Sequence, residues 1–73
     1  MTLEEILEEV LNVKPDDAKD ELELVNIDEW DSMAHMILIT RIEEGFEIQL
    51  SQDDIVSMQS IGKIREILKK HGA

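Results

Sequence analysis

The sequence predicts a small all-α fold, a four-helix bundle with three longer helices, one short third helix and a long loop between the first two helices. Three observations lead there. Apolar residues recur at helical spacing in three separate stretches. Those stretches open on residues that cap helix N-termini: Thr2, the pair Asp31 and Ser32, and Ser60. A chain of 73 residues has room for one domain, here residues 1–73, and a domain of this size buries only about 60% of its unfolded surface, so the core is small.

The first helix runs from Thr2 to about Leu11. Thr2 and Glu5 have the spacing of a capping box, and Leu3, Ile6, Leu7, Val10 and Leu11 form one apolar stripe. Glu4, Glu5, Glu8 and Glu9 face water, with the earliest of them suited to the positive end of the helix dipole. The helix breaks at Lys14-Pro15-Asp16-Asp17, because proline disfavours helical geometry in the residue before it. From Asp16 to Trp30 no helical period is sustained. This segment reads as an ordered, mostly extended loop pinned to the bundle by Leu22, Leu24, Val25 and Ile27. Trp30, the only tryptophan, reads as a packing anchor before the next helix.

The central helix begins at Asp31-Ser32 and keeps its pattern until Gly45 weakens it. Its wheel has two apolar arcs. With Met33 at zero and about 100° per residue, Leu38, Ile39, Ile42 and Phe46 gather at roughly 140–240°, with His35 among them, as a buried face. Met33, Met36, Ile37 and Thr40 cluster on the opposite side beside Glu44, where a surface helix is normally polar. Either a loop or helix of the same chain covers this second arc, or it is a docking patch. Methionine suits the latter, being flexible and polarisable.

Glu47-Ile48-Gln49-Leu50 alternates like a strand but is a lone short run without a partner, so it is a connector. Ser51 and Asp54 repeat the capping-box spacing and open a short third helix through Ile55 and Val56, ending near Met58. Ser60 caps the last helix. Ile61, Ile64, Ile67 and Leu68 face the core, Lys69, Lys70 and His71 sit at the negative end, and Gly72 stops it.

Composition removes several function classes. Seven Lys and Arg against 18 Asp and Glu give a net charge of −11, which opposes phosphate-backbone binding and favours basic protein partners over nucleic acid. No cysteine is present for disulfides or thiolate metal sites. No apolar run approaches a membrane span or a signal-peptide core, so a cytoplasmic monomer is expected. Asp28, Glu29 and Asp31 form an acidic cluster, but they lack the spacing and central glycine of a calcium loop, so no specific metal site is expected.

Ser32 stands at a helix N-terminus, where free N–H groups and the dipole favour a negatively charged group such as a phosphate ester on its hydroxyl. At Asp31-Ser32-Met33, followed by an apolar helix with Glu43, Glu44 and Phe46, the chain resembles acyl carrier proteins. The resemblance extends to length, acidity and helix order. It implies that Ser32 carries a 4′-phosphopantetheine arm from coenzyme A, installed by a phosphopantetheinyl transferase. The arm's thiol would hold acyl groups as thioesters for loading ligases or transferases and downstream enzymes of fatty-acid, polyketide or other specialised biosynthesis. An aminoacyl, peptidyl or D-alanyl cargo is the alternative. Trp30-Asp31-Ser32 with His35 is similar to stand-alone carriers of specialised pathways. Ala34 and Ile37 stand where the housekeeping fatty-acid type has acidic residues. Partner contacts are expected at Asp31, Met33, Met36, Ile37, Thr40, Glu43 and Glu44, and as a carrier the chain has no catalytic residue of its own.

Two readings compete with a carrier. Ser32 and His35, three apart on one helix, have nucleophile-and-base spacing, although a hydrolase also needs an oxyanion hole, a group that orients the histidine, and a pocket. The other is an acidic adaptor for basic partners. In the carrier reading His35 is a partly buried histidine near the base of the arm.

Overall fold

In the computed structural model, which describes residues 2–73, four helices enclose one apolar core. They are α1 (Leu3–Leu11), α2 (Ser32–Phe46), α3 (Gln52–Ser57) and α4 (Ile61–Lys70). Their boundaries follow local chemistry. The Thr2 hydroxyl accepts the Glu5 N–H at 3.2 Å while the Glu5 carboxylate accepts the Thr2 N–H at 2.8 Å, completing the expected capping box. Ser51 and Asp54 form the same reciprocal pair at the start of α3, and Ser60 caps α4 by accepting the Lys63 N–H. α1 stops at Asn12, whose backbone is left-handed (φ 56°), before the proline is reached.

α2 runs through Gly45. The stop is Glu47, left-handed at φ 54°, with the Ile48 N–H donating back to the Glu43 carbonyl. Gly45 lacks that role because the backbone reversal comes two residues later.

Leu3, Ile6, Leu7 and Leu11 of α1 meet Leu38, Ile39 and Ile42 of α2 and Ile61, Ile64, Ile67 and Leu68 of α4 in the core. Val10 and Phe46, expected in the apolar faces, are half-buried at its margin. The long loop contains two 3₁₀ turns, Pro15–Asp17 and Leu24–Asn26. The second corrects one expectation. A 3₁₀ turn brings residues three apart onto one side, so Leu24 and Ile27 are buried while Val25 between them is exposed and pins nothing.

Backbone hydrogen bonds stitch the loop to the α3–α4 junction. Leu24 N–H donates to the Gln59 carbonyl at 2.9 Å, Ile61 N–H to Leu22 at 3.0 Å and Gly62 N–H to Asp20 at 3.0 Å, around an isolated antiparallel bridge between Glu23 and Ser60. Arg65 of α4 adds a side-chain tie. Its guanidinium donates to Glu4 of α1 at 2.9 Å, to the Ala18 carbonyl at 3.1 Å and to the Asp20 carboxylate. This pairing holds the Glu4 carboxyl below, and the Arg65 guanidinium above, its ordinary range.

Candidate functional site

The start of α2 brings an exposed hydroxyl, a helix N-terminus, an apolar surface and a groove together. Asp31 is the N-cap, in extended conformation, and its Oδ1 accepts the Ala34 N–H at 2.7 Å. Ser32 is the first helical residue and is exposed. The Ser32 and Met33 N–H groups belong to the opening turn, which has no intrahelical acceptors, so an anion on the Ser32 hydroxyl meets unpaired donors and the positive dipole end. A phosphodiester therefore fits here: the hydroxyl is reachable and the adjacent backbone is electropositive.

The second apolar arc is not covered by any part of the described chain. Met33 is 74% exposed, Met36 56% and Ile37 46%. Thr40 lies beside them with its hydroxyl donating to the Met36 carbonyl at 3.0 Å, and Glu44 is exposed nearby on the helix. Glu43 behaves differently. It is half-buried, and its Oε2 accepts the Leu50 N–H at 2.9 Å, bracing the turn from α2 to α3.

His35 has partners other than the one a hydrolase would need. The Trp30 indole N–H donates to His35 Nδ1 at 3.2 Å, and His35 Nε2 lies 3.1 Å from the Ile55 carbonyl of α3. Those partners assign the neutral tautomer that is protonated on Nε2, with Nδ1 accepting and Nε2–H donating. Both ring nitrogens are thus committed to structural partners and neither is offered to Ser32 as a base. The two rings meet edge to face, 5.7 Å apart at 71°. Trp30, half-buried against the core, is the anchor that the sequence suggests. The reach of His35 to Ile55 was not legible from local spacing, because the two are 20 residues apart.

Beside this pair is an open groove of about 520 Å³, lined chiefly by Leu24, Val25, Trp30, His35, Ile55, Val56 and Met58. Val56 is exposed, like Val25. On the far side of α3, the buried Asp54 carboxylate accepts from Lys70 at 2.5 Å, from His71 at 2.8 Å and from the Ser51 N–H at 3.3 Å. These bonds, Lys70 first, hold its carboxyl well below the usual range. Among the described residues no three His, Cys, Asp or Glu side chains gather in a metal-binding cluster, and no helix is long and apolar enough to cross a membrane.

A phosphopantetheine attachment-site family matches residues 2–68. No curated protein sequence matches the chain. Among solved structures, the holo acyl carrier protein of Geobacter metallireducens superposes with a TM-score of 0.82 at 25% identity, over 93% of this chain and 78% of that one. The holo acyl carrier protein of Nitrosomonas europaea gives 0.81 at 28% identity, over 94% and 89%. Carriers of this kind work through a phosphopantetheinyl transferase and biosynthetic enzymes, and are generally not catalysts themselves. Both the family match, running from the cap of α1 into α4, and the shared bundle converge on one assignment: this chain belongs to the acyl carrier protein family, whose cofactor is covalently attached 4′-phosphopantetheine.

Proposed function

We propose that Ser32 is the attachment residue and that residues 1–73 act as one carrier unit for acyl intermediates of a specialised biosynthetic pathway in the cytoplasm. The observation that carries this is the exposed Ser32 hydroxyl on the first turn of α2, flanked by the uncovered Met33, Met36 and Ile37. In the modification step Ser32 Oγ attacks the coenzyme A phosphorus that bears pantetheine. The pyrophosphate P–O bond breaks, adenosine 3′,5′-bisphosphate leaves, and the hydroxyl proton passes to a base on the transferase. Once bound, the group supplies a thiol that holds cargo as a thioester. The chain's own part is positioning: the α2 N-terminus stabilises the phosphodiester charge, while Asp31 holds the helix start rigid.

Partner enzymes meet an acidic protein with an apolar centre. Met33, Met36, Ile37 and Thr40 form the contact face, with Asp31, Glu43 and Glu44 supplying charge that steers basic docking surfaces. Of these, Asp31 and Glu43 also hold the helix ends, so only part of their charge is available to a partner.

Incubation with coenzyme A and a phosphopantetheinyl transferase tests the assignment. Intact mass should increase by one phosphopantetheine group, placed on Ser32 by fragmentation, and Ser32→Ala should fold yet gain nothing. Modification elsewhere, or none with several transferases, removes Ser32 from this role. Which thioester the cognate ligase then loads, acyl or aminoacyl, identifies the cargo.

A further inference from the structure

The Trp30–His35–Ile55 hydrogen-bond chain is used neither by the attachment of an arm nor by the contact face. It links three parts of the fold: the loop before Ser32, the first turn of α2, and α3. Its donors and acceptors satisfy one another, an arrangement that rigidifies a partly buried site. α3 has six residues, too few to be stable alone, so its place depends on such ties. Asp54, the residue before Ile55, is bound by Lys70 and His71, and Met58 at the C-cap is buried in the core. Towards α2, the His35–Ile55 bond closes the seam between α2 and α3.

An apolar cargo starting from Ser32 therefore has two places to lie. One is the open groove of about 520 Å³ outside the seam, walled by Val25, Val56 and Trp30. The other is beneath α3, against buried Leu38 and Met58, which requires α3 to part from α2 at His35. We infer that His35 is a positioning residue that latches this seam, so that cargo is displayed in the outer groove instead of being enclosed in the bundle. The inference rests on the carrier reading and deepens it. It sets cargo reactivity through a residue that touches neither the hydroxyl nor the partner face.

The test compares protein loaded enzymatically from acetyl- and octanoyl-coenzyme A. Hydroxylamine then attacks each thioester carbonyl, the C–S bond breaks, and the thiol leaves with a proton. In the wild type the two thioesters should be cleaved at rates within about twofold of each other, because neither is sheltered. In His35→Leu, which keeps apolar bulk and helix propensity but loses both bonds, the octanoyl form should react at least roughly fivefold more slowly than the acetyl form. Independently of any arm, amide hydrogen exchange in Gln52–Ser57 of His35→Leu should quicken about tenfold or more. Trp30→Phe cuts the first bond alone and should shift both readouts the same way by less, deciding the matter if His35→Leu does not fold.

A wild type that already shields octanoyl overturns the latch, as do variants with unchanged cleavage and exchange. Absence of any arm on Ser32 sinks the carrier reading instead, a result visible in the mass before cleavage begins.

Discussion

Replacing Ile42 by alanine tests the buried face of α2 most directly. Ile42 of α2 is fully buried in the core, and the change removes three carbons from a helix face whose other members, Leu38 and Ile39, are buried too. At about 0.8 kcal/mol per methylene the transfer loss is roughly 2.4 kcal/mol, and an incompletely collapsed cavity brings the total to about 3–4 kcal/mol. A chain of 73 residues has a total stability of roughly 4–11 kcal/mol at typical values per residue. The melting temperature should therefore drop by about 12–30 °C. Urea and thermal unfolding followed by circular dichroism measure both quantities, with Met36→Glu as the paired control on the exposed arc. That control should change stability by about 0.5 kcal/mol or less while slowing modification by the transferase. Loss of less than about 1 kcal/mol in Ile42→Ala, or equal losses in the two variants, would refute the division of α2 into a core face and a contact face.

Asp54 predicts a limb of stability at acid pH. Its folded-state pKa is depressed, so its contribution is fully present above the unfolded value near 3.8 and is lost as pH falls towards the folded value. The melting-temperature gap between wild type and Asp54→Asn should narrow as pH drops from about 4 to 2; a gap that widens over that range contradicts the assigned partners. Gly62→Ala should lower the melting temperature even though alanine is the better helix former, because a Cβ there would lie 3.0 Å from the Asp20 carbonyl oxygen, on the stitched loop backbone. A gain in stability would mean that the loop yields freely. Raising salt should increase the melting temperature by screening the net charge of −11, and a decrease would show that attractive pairs dominate.

Helices were legible where a cap and a period coincide. Thr2 with Glu5, Ser51 with Asp54, and Ser60 with Ile61 and Ile64 each announce an element through neighbours three or four residues apart. The placement of Ser32 on the first turn of α2 follows from the same local chemistry. What escaped depends on partners distant along the chain. Nothing near Val25 reveals that a 3₁₀ turn sends Leu24 and Ile27 inward and leaves it outside. The Asp54 side chain could be read as a cap but not as the acceptor for Lys70 and His71, and Arg65 gave no sign of binding Glu4 and Asp20 together. His35 was placed correctly near the buried arc, yet both of its partners become visible only once α3 is docked.

The stitching of Asp20–Leu24 to Gln59–Gly62 also governs the order in which the molecule can assemble. These bonds join stretches of chain 35 to 42 residues apart, with the whole of α2 and α3 enclosed between them. As the chain leaves the ribosome, the loop that presents Ser32 has only its own short-range backbone bonds until Gln59 to Gly62 have emerged, and the core lacks Ile61, Ile64 and Leu68 until α4 is out. The transferase thus meets a properly shaped Ser32 only after translation of almost the whole domain. A chain cut before Ile61 should expose its loop to proteases and be a poor substrate, which makes α4 a checkpoint on completeness as well as a wall of the core.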